Sequence, residues 1–102
     1  MKPPRTIKVG PHDYTIRPER RDGDDFAETH TDRCEIIVSG KQCQSQLRDT
    51  ILHEIFHACS DLAGLRFEMG EENDERYARR MAPVFLDVLR RNPRLVEFLV
   101  ER

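Results

Sequence analysis

An α+β fold is expected for this chain of 102 residues, because its local patterns are segregated along the sequence. Short segments of alternating polarity fill roughly residues 5–40, and two stretches of helical apolar periodicity follow, over 44–63 and 73–91. Strands gathered at one end and helices at the other imply an α+β domain with one shared core. A motif of five residues inside the first helical stretch suggests what that domain is for.

The elements can be justified in order. Thr6-Ile7-Lys8-Val9 and Tyr14-Thr15-Ile16-Arg17 alternate in hydrophobicity around Gly10-Pro11-His12-Asp13, which predicts a hairpin. Asp22-Gly23-Asp24-Asp25 marks a loop, and Phe26-Ala27-Glu28-Thr29 reads as another short strand. Arg33-Cys34-Glu35-Ile36-Ile37-Val38 is the clearest strand and ends at Ser39-Gly40. The sheet is therefore small and either antiparallel or mixed. Next, apolar residues at 47, 51, 55, 58 and 62 follow a helical period, with Ser45 as N-cap and Gly64 as the stop. Tyr77, Ala78, Met81, Val84, Phe85, Val88 and Leu89 form the stripe of a second helix. Pro83 should kink it by removing a backbone donor. Asn92-Pro93 opens a short terminal helix over 93–100, with proline at its first position. One domain over 1–102 holds all of this, with no internal repeat.

Composition narrows the function classes. A domain of this size buries roughly two thirds of its unfolded surface, so its stability is marginal and a bound metal would help it. Seventeen Lys and Arg against nineteen Asp and Glu give a net charge of −2, which argues against nucleic-acid binding as the main role. The basic cluster from Arg17 to Arg21 is diluted by Pro18 and Glu19 and reads as a solvated loop. No apolar run approaches the ~20 residues needed to span a membrane. Met1-Lys2-Pro3-Pro4-Arg5 has no apolar signal region, so an intracellular, cytoplasmic location is expected. The three cysteines, Cys34, Cys43 and Cys59, agree with a reducing compartment, since they cannot form a fully paired set and contain no CxxC. Cys59 is expected to be a small core residue.

The motif is His53-Glu54-Ile55-Phe56-His57. Two imidazoles four residues apart lie one turn above each other on a helix and can share one zinc ion. Glu54 then reaches the water that the metal activates. Zinc needs a third protein ligand and, for catalysis, a fourth position left to water. Glu68, Glu71, Glu72, Asp74 and Glu75 are the downstream candidates. Glu75 is the best placed. It lies one turn before Ala78, borders the apolar stripe, and has small alanines on its face that let two helices approach. A plainer role is open to it as well: beside Asp74 it complements the helix N-terminal dipole.

His53-Glu54-x-x-His57 followed by Glu75-x-x-Ala78-x-x-Met81-Ala82 resembles the gluzincin metallopeptidases. It is most similar to their very small, minigluzincin-like members encoded by phages and mobile elements. There the second helix carries Glu-x-x-Ala-x-x-(Phe or similar)-Ala. Thr50-Ile51-Leu52 matches the lead-in to the motif helix, and Leu89-Arg90-Arg91-Asn92-Pro93-Arg94-Leu95 is similar to the ends of phage-encoded members. The similarity runs over residues 5 to 95, with specific motifs only in the two helices. It implies a zincin-like fold, zinc on His53, His57 and Glu75, and Glu54 as catalytic base. It also implies that the edge strand ahead of the motif helix, here Cys34 to Val38, pairs with an extended peptide substrate. Met81 departs from the pattern where an aromatic is common, and no residue matches the family's oxyanion stabiliser. His12, His30 and Tyr77 are the residues to consider for that role.

Two functions follow. The first is a zinc metallopeptidase that cleaves an intracellular protein. The second is a catalytically silent, zinc-stabilised protein-binding module. Retention of Glu54 favours the enzyme, because a purely structural site needs no base beside the water.

Overall fold

The computed structural model describes residues 1–19 and 26–101. The loop expected at 22–25, and Arg20 and Arg21 of the basic cluster, lie outside the described residues. Strands β1 (Thr6–Val9), β2 (His12–Glu19), β3 (Ala27–His30) and β4 (Glu35–Ser39) precede helices α1 (Gln44–Leu62), α2 (Leu65–Met69), α3 (Glu71–Arg91) and α4 (Pro93–Val100). The chain is thus α+β, with a four-stranded sheet in the order β1-β2-β4-β3. The sheet is mixed. β1 and β2 form the expected antiparallel hairpin about Gly10-Pro11, β2 and β4 run parallel, and β3 returns antiparallel to β4.

This order corrects one expectation. The strand that begins at Glu35 is interior, with Ile36 opposite Ile16 on one side and Thr29 on the other. Cys34 stands outside it in a turn, in a left-handed conformation with φ 51°. Among the described residues, the edge of the sheet on that side is β3. The physical reason is legible in hindsight: Ile36, Ile37 and Val38 are all buried. An interior strand is shielded by neighbours along both sides, here β2 and β3, whereas an edge strand has that shield on one side only.

Val9, Tyr14, Ile16, Ile36, Val38 and Ala58 form the core, with Leu47, Ile51 and Ile55 packed against it. The apolar stripe of α1 therefore lies on the sheet as its spacing predicts. α3 packs on the far side of α1 and does not touch the described strands, so α1 is the middle layer. Ala78 and Ala82 are the buried apolar residues of α3, at 1% and 0% exposure. Their lack of bulk brings α3 close to α1. Phe56 of α1 stacks edge to face on Tyr77 and Phe85, with ring centroids 6.1 and 5.8 Å away. α4 rests on α3 alone and buries none of its residues. No helix among the described residues is long and apolar enough to cross a membrane.

Several boundaries differ from expectation. The N-cap of α1 is Cys43, in extended backbone, and Ser45 sits inside the first turn. Gly64 does end the helix region, with φ 79° and its N–H donated to the Asp61 carbonyl. α2 has no counterpart in the sequence reading. α3 begins at Glu71, two residues before the expected start, and stays helical through Pro83. Its acidic first turn and basic last turn, which holds Arg90 and Arg91, both oppose the helix dipole. Cys59 is exposed rather than a core residue.

One buried polar atom is unmatched: the Ser60 hydroxyl has no hydrogen-bond partner among the described residues. Burying a hydroxyl in this way costs free energy, and alanine is the better helix former. Ser60→Ala should therefore raise stability by about 1 kcal/mol, read as a higher midpoint in urea with an unchanged slope.

Candidate metal centre

His53 and His57 project from adjacent turns of α1, with ring centroids 4.9 Å apart and planes at 69°. Their Nε2 atoms approach to 3.2 Å. Glu75, in the first turns of α3, closes the group. Its Oε1 is 3.0 Å from His53 Nε2 and its Oε2 is 2.8 Å from His57 Nε2. Each residue offers one ligand atom, and the three atoms lie within 4.8 Å of one another. The three residues named from spacing and helix register are thus brought together.

The donor set suits a divalent metal. Bonds of about 2.0–2.1 Å in a tetrahedron place neighbouring ligand atoms about 3.3 Å apart, close to the separations here. The chemistry of His57 points the same way. Its Nδ1 lies 2.7 Å from Oδ2 of Asp74, a carboxylate only 2% exposed. If Nδ1–H donates to Asp74, the neutral ring turns the Nε2 lone pair toward Glu75. A lone pair facing a carboxylate oxygen at 2.8 Å is matched by a cation or a proton between them. Such an aspartate–histidine pair is the usual outer support of a metal-bound imidazole. Arg66 of α2 has its Nε 3.9 Å from the same Asp74 oxygen and bonds Glu71 through Nη2.

Glu54 is distinct from the ligands. Its side chain turns from the donor group toward β3, where Oε1 accepts the Thr29 hydroxyl at 2.7 Å. Its Oε2 remains 3.9 Å from His53 Nε2, beside the ligands but not among them. Burial raises its pKa above the usual carboxylate value, and the Thr29 hydrogen bond and the nearby imidazoles oppose that shift. Glu54 thus presents Oε2, buried and not bonded by Thr29, beside the three-residue donor group.

These residues line a cleft of about 810 Å³ between β3, α1 and the start of α3. Asp49 and Thr50 contribute from α1, Arg66 from α2 and Arg79 from α3. Arg79 is one turn beyond Glu75, with Nη2 3.5 Å from Glu75 Oε1. The residues considered for oxyanion stabilisation are elsewhere. None of His12, His30 and Tyr77 lines the cleft. His30 hydrogen-bonds Glu28, Tyr77 packs on Phe56, and His12 is exposed on β2.

Sequence reasoning overlooked Thr29 and did not anticipate the bond between Asp74 and His57. Asp74 resembles any acidic residue that answers a helix dipole, and only its burial against His57 separates it from Glu71 and Glu72. Thr29 carries no motif at all. Its one signal is a position on a strand whose alternation directs residues 27 and 29 toward α1. The chain was compared with protein-family models, curated proteins and solved structures, and none of them matches it.

Proposed function

We propose that this chain is a zinc-dependent metallopeptidase of gluzincin type. The observation that carries the reading is the convergence of His53 Nε2, His57 Nε2 and the Glu75 carboxylate, with Glu54 buried beside them and pinned off the ligand set. His53, His57 and Glu75 would hold the metal, and Asp74 would keep His57 turned to it. Zinc bound there supplies a Lewis acid that acidifies water and polarises a carbonyl. The remaining work belongs to the chain. Glu54 takes the proton of the attacking water on Oε2 and passes it to the departing amine nitrogen. Arg79 lines the same cleft, and its guanidinium would balance negative charge developing on the carbonyl oxygen.

The peptide would lie along β3, which takes over the role expected for Cys34 to Val38. The Ser39 N–H donates to the Phe26 carbonyl at 2.7 Å. By antiparallel alternation, Glu28 and His30 then turn their backbone groups to β4, while Ala27 and Thr29 turn theirs outward. An extended substrate added at that edge would run beside the donor group. Backbone pairing of this kind binds peptides with little demand on side chains.

Metal analysis should find one high-affinity zinc per chain, lost or greatly weakened in His53→Ala and His57→Ala. Zinc at a thousand times its Kd should stabilise the fold by about 4 kcal/mol, read as a higher melting temperature than in chelator. Asp74→Ala should weaken zinc about 10- to 100-fold by competition titration, since it removes the support of His57 but no ligand. A protein that takes up no zinc would overturn the reading.

Glu54→Gln should keep zinc and the fold while losing turnover by at least about 100-fold on any peptide the wild type cleaves. If both proteins bind a protein partner equally and neither cleaves anything, the zinc-stabilised binding module is the correct reading.

A further inference from the structure

Resting on the peptidase reading, we propose that Thr29 is a positioning residue for the general base: its hydroxyl fixes the Glu54 carboxylate so that only Oε2 faces the metal ligands. The Thr29 Oγ1 lies 2.7 Å from Glu54 Oε1 and 3.3 Å from the Glu54 carbonyl oxygen, so it reaches both ends of one residue. With Oε1 held in this way, Oε2 is left 3.9 Å from His53 Nε2.

Three features make Thr29 rigid enough for the task. It is opposite Ile36, which is 0% exposed and anchors that register of the sheet. It is β-branched, so its χ1 is restricted. It sits on the strand layer while Glu54 sits on α1, so the bond joins two elements 25 residues apart in sequence. A carboxylate on a helix otherwise chooses among rotamers, and an off-line base loses proton transfer sharply with distance. Thr29 also turns its backbone to the edge of β3 that no described strand pairs with. A peptide that pairs there would stiffen the residue that orients the base, linking substrate docking to the readiness of Glu54.

The test compares wild type with Thr29→Val, which keeps the shape but removes the hydroxyl, Thr29→Ser, which keeps the hydroxyl, and Thr29→Ala. Zinc content, melting temperature, crystal structures of the zinc-loaded proteins, and kcat and KM on a proteome-derived peptide library are measured. Thr29→Val should retain zinc and show the Glu54 carboxylate displaced from its wild-type place. Its kcat should fall at least about tenfold, the loss expected for a hydrogen bond to a charged group. KM should stay within about twofold, because the bond acts on the base rather than on substrate binding. Thr29→Ser should recover most of kcat. Should Thr29→Val not fold, Thr29→Ala carries the same expectations. An unmoved Glu54 in the variants, an undiminished kcat, or a Thr29→Ser protein as impaired as Thr29→Val would overturn the proposal. A wild type that cleaves no peptide would end the peptidase reading on its own, and the Glu54 position in the variant structures would still decide whether Thr29 holds it.

Discussion

How near α3 comes to α1 governs every interaction within the group of His53, His57 and Glu75, and two methyl groups set that distance. Ala78 and Ala82 lie on the face of α3 that meets α1, and Glu75 stands one turn ahead of Ala78 on the same side. Helices with ordinary side chains at their contact sit about 8–10 Å apart, and small residues place a pair at the near end of that range. A glutamate side chain bridges such a gap, and Glu75 reaches both imidazoles. The middle-layer position of α1 completes the arrangement. One face of that helix is spent on the sheet, which fixes its rotation and so the direction of His53 and His57.

The same closeness concentrates charge. Glu54, Asp74 and Glu75 surround two histidines, with Arg66 and Arg79 as the flanking cations. A carboxylate buried as deeply as Asp74 is costly unless it is bonded, and His57 Nδ1 supplies the bond. Glu54 is buried to a similar degree and is answered by a neutral hydroxyl instead. That difference sorts the acids by task. The one paired to an imidazole fixes the orientation of that ring, and the one paired to a hydroxyl keeps Oε2 off that bond and has a raised affinity for protons.

Elements defined by period or by a fixed spacing could be read from the chain. His53 and His57 announce themselves four residues apart, and Leu47, Ile51, Ile55 and Ala58 show which face of α1 meets the sheet. Glu75 could be chosen over its acidic neighbours because the alanines after it give the helix a close-packing face. Pairing order was harder. Nothing local to Glu35–Ser39 says that β2 runs parallel to it, since that contact depends on chain returning from elsewhere. Only the unbroken burial of Ile36 to Val38 hints at a central place. The supporting contacts were least legible of all. Thr29 and Glu54 meet across 25 residues, and Asp74 differs from Glu72 only in what it faces once folded.

The short connector between α1 and α3 works as a gauge. Gly64 and Gly70 bracket α2 with φ of 79° and 83°, and a Cβ at either would meet open space. Their value is therefore backbone direction: each turns the chain in a way other residues resist. Because a helix advances about 100° per residue, a connector longer or shorter by one would rotate α3 by that angle against α1. Glu71, Glu72, Asp74 and Glu75 occupy one acidic turn and a little more, so such a rotation would present a different carboxylate, or none, to the same two imidazoles. Which acid meets the two imidazoles is thus decided by the residue count between Gly64 and Gly70.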